Sequence, residues 1–198
     1  MLWWTLRQLK STNAKKRKQA VKMLGDSKDV RTVEPLVARL KAEPDYDIRV
    51  AVIEALGMIG GVRAIDPPII ALKEHVIVGH HFENFEVHGG GRMRVSQAAL
   101  KVLGEIGDEQ AVEPLLMFAL ENKHMAKQVI GNLGRILERS LDGVSLEVIR
   151  YIAGMQDVAR FTYGWSCAFV VINGEEPVDC SLLRQLARQE LIRRGLEA

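Results

Sequence analysis

Val102-Leu103-Gly104-Glu105-Ile106-Gly107-Asp108 runs on to Ala111-Val112-Glu113-Pro114-Leu115-Leu116, and the order of these residues decides the fold. An apolar pair closes on glycine, a polar break follows, and an acid-proline pair opens the next apolar run. The same order stands at Ala55-Leu56-Gly57-Met58-Ile59-Gly60 before Ala64-Ile65-Asp66-Pro67, and at Leu24-Gly25 before Glu34-Pro35. With a fourth pair, Leu133-Gly134, the glycines are spaced by 32, 47 and 30 residues. Pro35, Pro67 and Pro114 each follow the preceding repeat glycine by ten residues; Val33, Ile65 and Val112 follow it by eight, and Val37, Ile69 and Leu116 by twelve. Three registers in phase mark an internal repeat.

Each unit reads as helix, turn, helix. In the second, Ile48, Val52, Ile53 and Leu56 form one apolar stripe, while Arg49 and Glu54 face away from it. Gly57 and Gly60 are expected at the reversal, for backbone freedom or close helix approach. The next helix should begin near Ala64 with its proline in the first turn, where the missing amide donor has no intrahelical partner to lose. One such hairpin cannot bury its own stripe, so neighbours must stack into a solenoid with a shared core.

The quoted motifs resemble the short HEAT repeat of the phycobilin-lyase (PBS lyase) type, over residues 13–121 most closely, more weakly over 122–153, and without a motif beyond. The resemblance implies an all-α, right-handed α-α superhelix (HEAT-like solenoid) of about four to five helical hairpins, with first helices convex and second helices lining a concave side. Proteins of this type bind partners, act as bilin lyases, bind DNA or, in specialised members, carry metal. The iron-binding HEAT hydroxylases pair His-Glu motifs, and this sequence holds no His-Glu dipeptide. The expected organisation is a single repeat domain over 1–198. It comprises an N-terminal cap (1–11), repeats at 12–42, 47–74, 93–121 and 124–153, an insertion at 75–92, and a divergent C-terminal repeat and cap at 154–198.

Composition fits a soluble chain: 47% of the 198 residues are hydrophobic and 26% charged. No apolar run reaches the roughly 18–20 residues of a membrane span, and Met1 to Arg7 lacks the basic-then-apolar order of a signal peptide, so the expected compartment is the cytosol. Cys167 and Cys180 form neither a disulfide framework nor a metal pattern, and are expected as reduced thiols. The net charge of +2 conceals a division, with residues 1–41 at +8 and the rest at −6. Within the basic end, Lys15, Lys16, Arg17 and Lys18 would spread around a helical turn as a solvated face, or attract nucleic acid or an anionic membrane.

The 75–92 insertion holds four of the five histidines, and the alternation from Phe85 to Val87 reads as a loop or small hairpin. In an extended segment His80, His81, Glu83, Glu86 and His88 could supply nitrogen and oxygen ligands, although no second ligand segment supports a metal and none is expected. Gly89-Gly90-Gly91-Arg92 lacks the ending of a P-loop and reads as a flexible return. There is no Gly-x-Ser-x-Gly, and Cys167 has no evident base nearby, so no catalytic residue and no cofactor is expected.

At the ends, Leu2, Trp3, Leu6 and Leu9 should cap the first hairpin, with Trp3 and Trp4 beside Arg7 and Lys10 as a rival membrane anchor. Ser181 to Arg194 reads as a final helix packing Leu182, Leu183, Leu186, Leu191 and Ile192. Cys167 to Ile172, after aromatic-rich Phe161 to Trp165, reads as a divergent first helix. In the second helices, positions eight, eleven, twelve and fifteen after the glycine should be core. Positions thirteen and fourteen then face the groove: Ala38 and Arg39, Ile70 and Ala71, Met117 and Phe118. Of these, Arg39, Ile70, Met117 and Phe118 are the candidate partner-binding residues. The function expected is a non-catalytic scaffold for another protein; the alternatives are bilin-lyase-like chromophore handling, or nucleic-acid or anionic-membrane binding through the basic repeat.

Overall fold

The computed structural model describes residues 2–61, 64–78, 85–122, 125–154 and 179–196, and among them there is no strand. The helices are α1 (Leu2–Gln8), α2 (Ala14–Asp26), α3 (Val33–Ala42), α4 (Tyr46–Ile59), α5 (Asp66–Val78), α6 (Phe85–Ile106), α7 (Val112–Glu121), α8 (Ala126–Arg139), α9 (Leu146–Ala153) and α10 (Ser181–Arg193). This is an all-α, HEAT-like architecture of consecutive helical hairpins. The chain forms two compact units, Met1–Ile106 and Gly107–Ala198, so α6 ends the first and α7 begins the second.

Local chemistry starts each helix. The Asn13 carboxamide oxygen accepts the Lys15 and Lys16 amides at 2.9 and 3.3 Å, and the Asp45 carboxylate accepts those of Asp47 and Ile48 at 2.8 and 3.3 Å. Such caps satisfy amides that have no carbonyl partner within the helix. Asp29 and Asp108 cap short 3-10 turns, Val30–Thr32 and Glu109–Ala111, that lead into α3 and α7. Pro35, Pro67 and Pro114 all fall in first turns, as their missing N–H requires.

In the first unit the first helices form a layer: α4 packs against α2 and α6, while α3 packs on α4 and α5 on α6. Leu24, Ile53, Leu56, Leu100 and Leu103 are fully buried there. The repeat glycines explain how closely these helices approach. A Cβ on Gly25 would lie 2.8 Å from the Ala55 Cβ, and one on Gly57 would lie 2.8 Å from a Val102 methyl. Ala55 and Val102 both stand two residues before the next repeat glycine, so one contact recurs in register. Gly25 and Gly57 are thus helical packing residues rather than the reversal itself. The turn after α4 is made by Gly60 and Gly61, at φ of 71° and 82°.

The expected insertion takes a different form. Helix α5 continues to Val78 and α6 already begins at Phe85, so neither a strand-like hairpin at Phe85 to Val87 nor a flexible Gly89-Gly91 return is found. Three successive glycines cost a helix about 1 kcal/mol each relative to alanine, and packing against α4 offsets this. Gly91 admits the Tyr46 ring, whose Cγ would stand 2.6 Å from a Cβ at that position. The next residues continue the seam: Arg92 Nε donates to the Tyr46 hydroxyl at 3.4 Å, and Arg94 pairs with Asp47.

Capping by α1 also departs from expectation. Thr5 and Leu9 are buried with Leu2 and Leu6 half-covered, whereas Trp3 is 72% and Trp4 57% exposed. On a seven-residue helix one stripe faces α2, and residues 3, 4 and 7 fall on the other side.

In the second unit α7 packs on α8, and both α8 and α9 on α10, around Leu133, Ile136, Ile149, Ile152, Leu183, Ala187 and Leu191. Leu182 and Ile192 were expected in this core and are exposed. Glu190 is buried in their place, ion-paired to Arg193 and Arg194 at 2.6 Å each; hydrogen bonding from Arg193 chiefly holds its carboxyl at about 2. Cys180 is buried. Cys167, Phe161 to Trp165 and the helix expected at 167–172 lie outside the described residues.

The glycine contact yields a direct test. Gly57→Ala should lower stability by about 1–3 kcal/mol through overpacking against Val102, read as a lower urea midpoint. Combining it with Val102→Ala should cost at least about 1 kcal/mol less than the two single changes together. Strict additivity would mean that the two side chains do not meet.

Candidate functional site

The second helices of the first unit carry the predicted groove. Val33, Leu36 and Leu40 point α3 into the core, and Ile65, Ile69 and Leu72 do the same at α5. Position thirteen is exposed in each repeat, at Ala38, Ile70 and Met117, with Ile70 and Met117 both 41% exposed. Position fourteen behaves otherwise: Ala71 and Phe118 are 4% and 3% exposed and belong to the core. The reason is helical geometry. Position fourteen lies about 60° from core position eleven, whereas thirteen lies about 160° from it. Phe118 is therefore no groove residue.

Between α3 and α5, Val37, Leu40, Pro67, Ile70 and Ala71 line a shallow apolar hollow of about 10 Å³, with Lys41 and Arg49 in the same lining. That volume is near the minimum for one water, so this face offers a contact surface and no small-molecule chamber.

Arg39 is also accounted for structurally. Its Nε stands 3.1 Å from the Glu43 carboxylate, and its terminal nitrogens donate to the carbonyls of Leu9 at 3.3 Å and Ala42 at 2.6 Å. Glu43, with no side-chain exposure, takes a second cation in Arg17, whose Nε and Nη2 donate to its two oxygens at 2.9 and 2.8 Å. The remaining Arg17 nitrogen donates to the carbonyls of Ser11 and Thr12, both at 3.0 Å. Hydrogen bonding to the Glu43 carboxylate raises the Arg17 pKa above its ordinary value. Arg17 is thereby withdrawn from the expected basic patch into the interior, while Lys15, Lys16 and Lys18 are exposed. This clamp joins α2 to the segments flanking α3, and Glu43, just past the end of α3, gave no periodic signal in the sequence.

His80, His81 and Glu83 lie outside the described residues. Glu86 and His88 fall within α6 and not in an extended segment. Among the described residues no group of three or more His, Cys, Asp or Glu could hold a metal ion, and no helix is long and apolar enough to cross a membrane.

One surface escaped the sequence reading. Trp4, Thr5, Gln8, Lys16, Gln19, Ala20 and Met23 enclose a cleft of about 140 Å³ between α1 and α2. Its signal was present in two adjacent tryptophans on a helix too short to bury both.

Stacked first helices, proline-started second helices and a buried interior define a helical-repeat architecture. Residues 4–73 match the HEAT repeats family and residues 97–121 match the PBS lyase HEAT-like repeat. The chain carries HEAT repeats, among them one of the PBS lyase HEAT-like type. It is similar to the bilin biosynthesis protein PecE of Mastigocladus laminosus, at 44% identity over 57 residues, which are 29% of this chain and 21% of that protein. The chain thus matches about a fifth of the length of that relative.

The clamp can be tested by Glu43→Gln. Two guanidinium groups would lose their shared counterion in a buried setting, and the expected cost is about 3–5 kcal/mol, seen as a large fall in melting temperature. An unchanged melting temperature would show that the clamp is dispensable.

Proposed function

We propose that this chain is a non-catalytic protein-binding scaffold that engages its partner through the outward sides of the second helices, within each unit separately. Exposed Ile70 beside the apolar hollow between α3 and α5 carries the proposal. A large aliphatic side chain beside an apolar hollow suits a partner's apolar anchor, and exposed Lys41 in the same lining suits a flanking acid. Met117, at the same repeat position in the second unit, offers an adaptable side chain of equal exposure. Arg39 and Phe118 have no part in this contact, because one braces Glu43 and the other is core.

A second reading is bilin handling, favoured by the 57-residue likeness to PecE. It predicts that added free bilin shifts its visible absorption on binding the protein; an unaltered spectrum would remove it.

The scaffold is tested by Ile70→Asp and Met117→Asp, singly and together. Since both positions face solvent, melting temperature should stay near the parent, while crosslinks from these faces to a co-purified partner should disappear. Retained crosslinks in the folded double variant would overturn the proposal, and unfolding would show that these side chains are core.

A further inference from the structure

The α1–α2 cleft combines three features that no folding role uses. Its volume of about 140 Å³ compares with the roughly 150 Å³ cavity that accepts benzene in an engineered protein. Its walls are mixed: the Trp4 indole and the Met23 side chain are exposed, and the Gln8 and Gln19 carboxamides sit beside them. Its surroundings are cationic. Lys16 lines the cleft, and Lys15 and Lys22 stand about 100° around α2 from its direction; all three are exposed, and none is paired with a carboxylate among the described residues. Of the nearby acids, Glu43 is taken by Arg17 and Arg39 and Asp29 by Arg31, and residues 1–41 keep a net charge of +8.

We propose that this cleft is a second docking site, which takes an acidic peptide segment of a partner protein bearing one large apolar side chain. The side chain enters between Trp4 and Met23. The two carboxamides hydrogen-bond the peptide backbone on either side of it, and Lys16, with Lys15 and Lys22 beyond it, meets the flanking carboxylates. Charge complementarity selects the occupant, since a basic segment would meet Lys16 within the cleft and an end of the chain, residues 1–41, that carries a net charge of +8. A bilayer fits less well. Helix α1 spends one face on α2, and the cleft is concave and lined by amides, whereas an interfacial helix presents a continuous convex apolar face. The site is separate from the outward sides of the second helices, so either can fail alone.

The test is fluorescence anisotropy of a labelled, Asp/Glu-rich peptide with a single central Phe, titrated with the full-length protein. Replacing that Phe by Ser should weaken binding about tenfold, the equivalent of one buried apolar side chain. Lys16→Glu and Met23→Glu, both at exposed positions, should each weaken it at least about fivefold with an unchanged melting temperature, and Ile70→Asp should leave it as it was. Failure to bind would overturn the proposal. So would equal binding of the Ser peptide, which signals charge attraction alone, or full binding by the folded Lys16→Glu and Met23→Glu variants. Capture of phosphatidylserine vesicles or oligothymidine in preference to the peptide would also overturn it, and would assign the surface to lipid or nucleic acid.

Discussion

The close approach of successive first helices is the constraint on which the first unit rests. Short hairpins have little interior of their own, and α4 becomes buried only because α2 and α6 press on either side of it. That approach needs a position without a side chain at each crossing, supplied by Gly25 against Ala55 and by Gly57 against Val102. Large side chains then close over the crossing, so Ile53 and Leu56 reach zero exposure in a helix of only 14 residues. The second helices attach to this layer, which leaves their opposite side free for contact with another molecule.

A second device recurs in both units. A buried glutamate takes two arginines, Arg17 and Arg39 around Glu43 and Arg193 and Arg194 around Glu190, and all of them but Arg193, which pairs with Asp142, also reach backbone carbonyls. Arg194 donates to Val144 at 3.3 Å and Asp142 at 3.2 Å, much as Arg17 donates to Ser11 and Thr12. Buried ion pairs of this kind contribute little net stability against an apolar replacement, yet losing one member is costly. Their value here is geometric, because they tie loop carbonyls to helices. At the N-terminal end the clamp's acid is spent inside, and residues 1–41 keep a net charge of +8.

Much of this was legible from spacing alone. Leu-Gly pairs and acid-proline pairs in phase locate the hairpins, since glycine at a crossing and proline at a helix start answer local requirements that any repeat must meet. The glycine contact is legible only in part, because composition cannot distinguish a glycine that turns the chain from one that admits a neighbour. The alternation at Phe85 to Val87 misled for a related reason: Gly91 looks like a breaker until the Tyr46 ring is seen against it. Phe118 and Ala71 were misplaced because a groove face one residue wide leaves no margin in a helical wheel. The α1–α2 cleft and the Glu43 clamp join residues from separate elements with no repeat to announce them.

The account's central claim is that α2, α4 and α6 form one cooperative layer, with α4 at its centre. Native-state amide hydrogen exchange of the intact protein tests this most directly. The layer predicts that the buried amides of all three helices exchange only through a shared opening, with one free energy and one denaturant dependence, and that α1 opens at lower cost. Independent opening of α4, at a lower free energy than α2 or α6, would contradict it.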